Sequence, residues 1–179
     1  CLPTWFEGQP VTAVGVGDGS PRCAADPEID RGNRLAGWVV DRRVGGEYDS
    51  YPILFGARML GEWLPATKSW LEASVVRGYE DDTNLRGYAF DVGATWTLLK
   101  PFYMSAGWAF GSGDDAGSSA TDESYRQTGL ERNNGKLGGV SSFRYYGEVF
   151  DPELSNLSVL TFGVGTRFTR DSSLDLVWH

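Results

Sequence analysis

One histidine stands in the whole chain, and it is the final residue, His179. A Ser/His/Asp triad would have to be assembled at a chain end, so a small outer-membrane hydrolase carries little weight and no enzymatic activity is expected. Long apolar runs are missing as well. None approaches the roughly 18 to 20 residues of a membrane helix, so only strands could cross a bilayer. Basic residues are the minority, 16 against 24 acidic, for a formal net charge of -8. That balance leaves no footprint for nucleic acid and no polybasic membrane anchor. A phosphate loop is lacking too, because Gly15-Val-Gly-Asp-Gly has neither the following Lys-Ser/Thr nor a helix to use it. The acidic clusters Glu80-Asp81-Asp82 and Asp114-Asp115 sit in turn-like sequence without the Asp-x-Asp-x-Asp-Gly spacing of a calcium loop. They read as solvated charge, and neither a metal nor a cofactor is expected.

Cysteine is scarce. Cys1 and Cys23 bracket a Gly/Pro-rich stretch, which fits an oxidised loop in a periplasmic or outer-surface setting, with two unrelated thiols as the alternative. Residues 1–34 show little periodicity and read as loop.

What is plentiful is glycine, with 24 residues, and aromatics, with 7 Trp, 8 Tyr and 9 Phe. They are arranged in a rhythm. From Tyr88 to Leu98, large apolar side chains (Tyr88, Phe90, Val92, Trp96, Leu98) alternate with small or polar ones (Ala89, Asp91, Gly93, Thr95, Thr97). This is the period of a strand with one apolar face. Seven such runs are predicted: Leu35 to Val44, Tyr51 to Trp63, Lys68 to Tyr79, Gly87 to Leu99, Phe102 to Gly111, Leu154 to Thr169, and Ser173 onward. Between them lie clusters with turn chemistry, such as Leu64-Pro65-Ala66, Lys100-Pro101 and Arg170-Asp171-Ser172.

Alternation assigns the faces. Ile53, Phe55, Met59, Leu71, Val75, Phe90, Trp96, Met104, Trp108, Phe162, Val164, Phe168, Leu174 and Trp178 fall on one side. Asp41, Arg43, Leu54, Arg58, Glu72, Ser74, Asp91, Tyr103, Thr161, Arg167 and Asp175 fall on the other. A soluble β-sandwich that binds carbohydrate through its aromatics would show the same alternation. Aromatics crowded at strand ends, as in an interfacial girdle, favour an antiparallel up-and-down transmembrane β-barrel over residues 35–179. Turns at Lys100-Pro101 and Arg170-Asp171-Ser172 are short, while the polar segment at about 112–153 is long. Barrel turns are short on the periplasmic side and long outside. The long segment is therefore an outer loop, either single or containing an extra hairpin, and it is expected to fold inward.

Basic residues predicted to face the lumen or to lie in that loop are Arg43, Arg58, Arg132, Lys136, Arg144 and Arg167. Rings of Arg and Lys in a pore attract anions and give selectivity without tight binding. Of these, Arg58, Arg132, Lys136, Arg144 and Arg167 are the candidates for pore and anion binding. Asp41, Glu72, Asp91 and Asp175 are expected on the same face as lumenal acids, where ordinary ion pairing competes with a transport role.

Two segments carry a family likeness. Tyr125-Arg-Gln-Thr-Gly-Leu-Glu-Arg-Asn-Asn134, followed by Phe143-Arg-Tyr-Tyr-Gly-Glu-Val-Phe-Asp-Pro-Glu-Leu-Ser-Asn-Leu157, resembles the alginate export outer-membrane porins. Phe90-Asp-Val-Gly-Ala, Ala109-Phe-Gly-Ser-Gly-Asp and the closing Ser173-Leu-Asp-Leu-Val-Trp-His stretch continue the resemblance, which is clear from about Tyr51 to His179. It implies an outer-membrane barrel whose electropositive pore passes an anionic polyuronate from periplasm to exterior, with lipid around it and periplasmic secretion-complex proteins as partners. Some of the family's pore arginines fall near Arg132 to Asn134 and Ser142 to Arg144. Here Asn133, Asn134 and Ser142 stand where basic side chains are anticipated. Members of that family are much longer, so the chain is expected to be an open piece of a larger barrel. Leu35 to Val44 and Ser173 to His179 would be its unpaired edges.

Overall fold

The computed structural model describes residues 5–6, 9–10, 34–41, 50–115, 120–126, 134–135, 137–140, 142–144, 146 and 153–179. Cys1, Cys23 and Arg43 lie outside them, and so do Arg132 and Lys136. Seven long strands form one antiparallel sheet: β1 Arg34–Asp41, β2 Ile53–Gly61, β3 Thr67–Glu80, β4 Tyr88–Leu99, β5 Phe102–Gly111, β6 Leu157–Arg167 and β7 Ser173–Trp178. Each pairs with its neighbours in chain order, from β1 at one edge to β7 at the other. Among the described residues there is no helix, and neither β1 nor β7 pairs on its outer side. The sheet is an open meander, as an uncut barrel wall would be if unrolled.

From β2 to β7 the register carries the expected faces across the sheet. Phe55 pairs with Val75 and Val75 with Tyr88; Leu71 pairs with Val92, Val92 with Trp108 and Trp108 with Leu160; Met104 pairs with Val164 and Val164 with Leu176. This apolar row is uncovered: Phe162 is 49% exposed, Trp108 43% and Leu176 72%. Among the described residues no second sheet lies over it, which overturns the sandwich reading. So wide an apolar face left open to water would be an association hazard, whereas lipid covers it at no cost. Aromatic pairs stiffen it, with Phe90 edge-on to Trp108 at 4.7 Å and Phe162 stacked on Trp178 at 5.8 Å.

Four differences from the sequence reading have local causes. Asp41 was expected among the lumenal acids, but its register partner is Ile53, which puts position 41 on the row of Val39 and Phe55. A one-residue offset in a strand reverses the face, and β1 has too little alternation of its own to reveal it. At the end of β4 the register slips between Thr97 and Leu99, so Leu99, not Leu98, stands opposite Phe102. The bulge interrupts a pattern that looks unbroken in sequence. The turn after β3 is only Asp81-Asp82, and Thr83–Leu85 pairs back onto Gly78–Glu80, so the hairpin rises beyond the sheet. Asp81 takes a φ of 49°, a left-handed conformation that Asp tolerates better than most residues. Leu154 precedes the strand instead of starting it, and is buried against Gly111.

Outside the sheet, Trp5–Phe6 pairs with Gln9–Pro10 within the stretch read as loop. Asn134–Gly135 pairs with Phe143–Arg144, the extra hairpin foreseen as one form of the long segment.

Candidate functional site

The polar face is the one with built structure on it. Its upper part, towards the long connections, holds the main buried cluster: Leu54, Val76, Ala89 and Ala109 from the sheet meet Tyr125, Tyr146 and Leu154 from the long segment. The segment therefore folds over the lumenal face, as expected, and supplies the partners that let apolar side chains occupy it.

Ser112 begins the fold-over. Its Oγ accepts from Tyr88 N at 2.9 Å and donates to Glu123 O at 2.6 Å, while its carbonyl accepts from Tyr125 N at 2.9 Å and Asn156 N at 3.0 Å. One buried residue thus ties the end of β5 to β4, to the outgoing chain and to its return. Further on, the Ser74 hydroxyl donates to Tyr125 Oη at 2.5 Å. Asn84 N donates to Ala120 O and Arg86 N to Asp122 O, adding Thr121–Asp122 as a parallel neighbour of Thr83–Leu85. Arg126 clasps both Glu80 and Asp122. Partial burial alone would raise the Asp122 pKa, but hydrogen bonds from Ser124 and Arg126 outweigh it and hold the carboxyl below its ordinary value. Burial alone would lower the Arg126 pKa, but its hydrogen bonds to Asp122 and Glu80 outweigh it and hold the guanidinium above its ordinary value.

Lower on the face, Leu137-Gly138-Gly139-Val140 lies directly on β5, β6 and β7. Ser105 Oγ donates to Leu137 O at 2.7 Å and Val140 N donates to Ser173 Oγ at 3.0 Å. A Cβ on Gly138 would come within 2.5 Å of the Tyr103 ring, and one on Gly139 within 2.4 Å of Asp175 Oδ2. Gly138 also has φ +120°, so both space and backbone demand glycine there.

The candidate residues separate as follows. Arg58 and Glu72 face each other across β2 and β3 and form an ion pair at 3.4 Å. Glu72 is also the register partner of Asp91, whose Oδ1 accepts from Trp70 Nε1 at 2.8 Å. Asp175 accepts from Tyr103 Oη and, at 2.7 Å, from Ser173 Oγ. Arg167 is at the short-turn end of β6, its register partner Ser173, and its Nη2 donates to Arg170 O at 2.8 Å. Arg144 is in the short hairpin, its backbone opposite Asn134. His179 Nδ1 meets Thr161 Oγ1 at 3.0 Å.

Sequence reading placed Tyr103 on the polar row but did not single out Trp70. Trp70 lies over Gly93 and Gly107, where a Cβ would come within 2.2 and 3.2 Å of its ring, and Tyr103 lies over Gly165. The signal was an aromatic placed on the polar face of one strand and a glycine at the same height on the next, visible only with the register in hand. Between Trp70, Asp91, Leu137, Tyr146 and Thr161 the face keeps a small recess.

Comparison with known proteins agrees with this architecture. The family described as Alginate export matches residues 28–179. The alginate production protein AlgE of Pseudomonas aeruginosa strain PAO1 is 32% identical over 151 residues, which cover 79% of this chain and 30% of that protein. Its namesake in Azotobacter vinelandii is 28% identical over 102 residues, covering 55% of this chain and 20% of that protein. The chain thus spans less than a third of the length of the curated relatives it matches. By its family match, its uncovered apolar row and its open antiparallel meander, the chain belongs to the alginate export family and is an open segment of an outer-membrane β-barrel.

Proposed function

We propose that the chain forms part of a channel that passes an anionic polyuronate, alginate or a close chemical relative, from periplasm to exterior without energy coupling. The observation that carries this reading is the inward course of the long segment, anchored at Tyr125 on Ser74 and at Leu137 on Ser105. A polar chain laid across the lumenal face narrows the passage to a size at which a polymer touches the wall. Arg132, Lys136 and Arg144 belong to that segment, on both sides of Leu137. We assign them the electropositive constriction, because cations in a confined, partly dehydrated passage act more strongly than on an open rim. The sheet itself contributes little positive potential: at mid-height Arg58 is balanced by Glu72, and Asp91 adds a further acid. A Cys1–Cys23 crosslink is proposed in the segment that precedes β1, and secretion-complex proteins of the periplasm are proposed to meet the short-turn end.

The test uses the full-length protein in a planar bilayer. Oligouronate added to the side of the short turns should interrupt the ionic current in a concentration-dependent way, while a neutral glucan of the same length should not. Equal block by both, or by neither, would remove the polyuronate assignment.

A further inference from the structure

On the outward, apolar row of the sheet two arginines interrupt the hydrophobic side chains. Arg77 of β3 stands between Val75 and Tyr79 along the strand and opposite Ile53 on β2. Across from β3, the ladder runs unshifted from Val75 with Tyr88 to Gly78 with Leu85, which sets Arg86 directly beside Arg77. Burial alternates in step on both chains: Val76 and Gly87 are buried, while Arg77, Arg86, Tyr79 and Tyr88 are exposed. Both cations are therefore on the lipid-facing side.

Their height is equally defined. The short turns Leu64-Pro65-Ala66 and Lys100-Pro101 mark the periplasmic end of β3 and β4, so the Arg77 end is the outer one. Arg77 lies about ten residues along β3, where a crossing strand of about 9 to 11 residues reaches the headgroups. Tyr51, Tyr79 and Tyr88 surround the spot, with the rings of Tyr51 and Tyr79 4.9 Å apart, as in an interfacial girdle.

Two like charges set directly opposite each other in a sheet destabilise it. Among the described residues no carboxylate pairs with either arginine; the nearby Glu80 and Asp122 are engaged by Arg126. Arg77 Nη1 donates to Val76 O at 2.8 Å and Gly87 O at 3.4 Å, which pins the guanidinium between the strands, and among the described residues its Nε and Nη2 make no hydrogen bond. A shared phosphate would relieve the repulsion and satisfy both forks, a geometry for which guanidinium is well shaped.

We propose that Arg77 and Arg86 are a binding site for the phosphate of a phosphorylated glycolipid headgroup in the outer leaflet. The fatty chains of such a lipid would run down the row of Val75, Phe55, Tyr88 and Phe90, and its phosphate would lie at the tyrosine belt. The site is independent of the channel reading, since it is on the opposite face of the sheet.

The experiment isolates the full-length protein from a Gram-negative outer membrane in mild detergent and measures co-purifying glycolipid by native mass spectrometry. Wild type should retain a stoichiometric glycolipid, and R77S/R86S should lose it several-fold. Arg86→Glu would pair with Arg77 and so preserve the strand pairing; this variant should keep heat-resistant folding on a gel and still lose the lipid. Retention of lipid by folded Arg86→Glu protein would overturn the proposal. Displacement of the lipid by millimolar inorganic phosphate, or equal retention of a dephosphorylated glycolipid, would also overturn it, the first by showing a free-phosphate site and the second a site for acyl chains alone.

Discussion

Ser74 and Tyr125 are 51 residues apart in sequence, and their hydroxyl oxygens meet at 2.5 Å on the lumenal face of the sheet. That contact fixes how the long outer segment enters the lumen, because Tyr125 is 4% exposed and brings its neighbours down with it. Tyr125→Phe keeps the buried ring and deletes the bond, leaving Ser74 short of a partner. The expected loss is about 1 kcal/mol of local stability. Hydrogen exchange of residues 120–126 in the full-length protein should accelerate, while amides in β4 and β5 stay protected. Uniform protection in both would show that the contact does not hold the segment.

Gly93 supports the wall in a different way. A Cβ there would stand 2.2 Å from the Trp70 ring, which also donates to Asp91. Gly93→Ala should displace Trp70, break the indole bond and cost about 1 to 3 kcal/mol through overpacking. The midpoint of heat modifiability on a gel should fall, and a Trp70→Phe background should reduce the penalty. An additive double variant would mean that ring and glycine do not interact.

The clasp of Arg126 on Glu80 and Asp122 has a defined pH response. Since Asp122 has a folded pKa below its unfolded value, its stabilisation is complete above roughly pH 4 and disappears as pH falls through the lowered value. Protease nicking of the segment near Arg126 should be flat from neutral to mildly acidic pH and rise only in strong acid. Asp122→Asn should be nicked faster at neutral pH and lose that acid-dependent rise. A transition near neutrality would point to another group.

Glu72 offsets Arg58 at mid-height on the lumenal face. Glu72→Gln should leave the strand pairing intact, free the guanidinium and shift the reversal potential of the channel toward greater anion preference. Arg58→Ser should shift it the other way. Movement in the same direction for both would mean that this pair does not face the conduction path.

Much of the wall was legible in sequence, because alternation over ten or more residues reports a face directly. β5 was expected and found at Phe102–Gly111, and the apolar row matched at Ile53, Leu71, Trp108 and Phe162. Asp41 was misplaced where alternation is weak, and the register slip between Thr97 and Leu99 was missed because a bulge is silent in the pattern. The lumenal anchors were harder. Leu137 on Ser105 and Gly139 against Asp175 are contacts between a chain without periodicity and strands distant in sequence. Nothing in a local pattern encodes them, although the Gly138-Gly139 pair marks a close approach once the partner is known.

The most direct test of an electropositive, polymer-passing lumen is the reversal potential of the full-length protein in a salt gradient, compared with Arg132→Ser/Arg144→Ser. The wild type should be anion-selective, and the double variant should be markedly less so at similar conductance. Cation selectivity in the wild type, or an unchanged reversal potential in the variant, would contradict it.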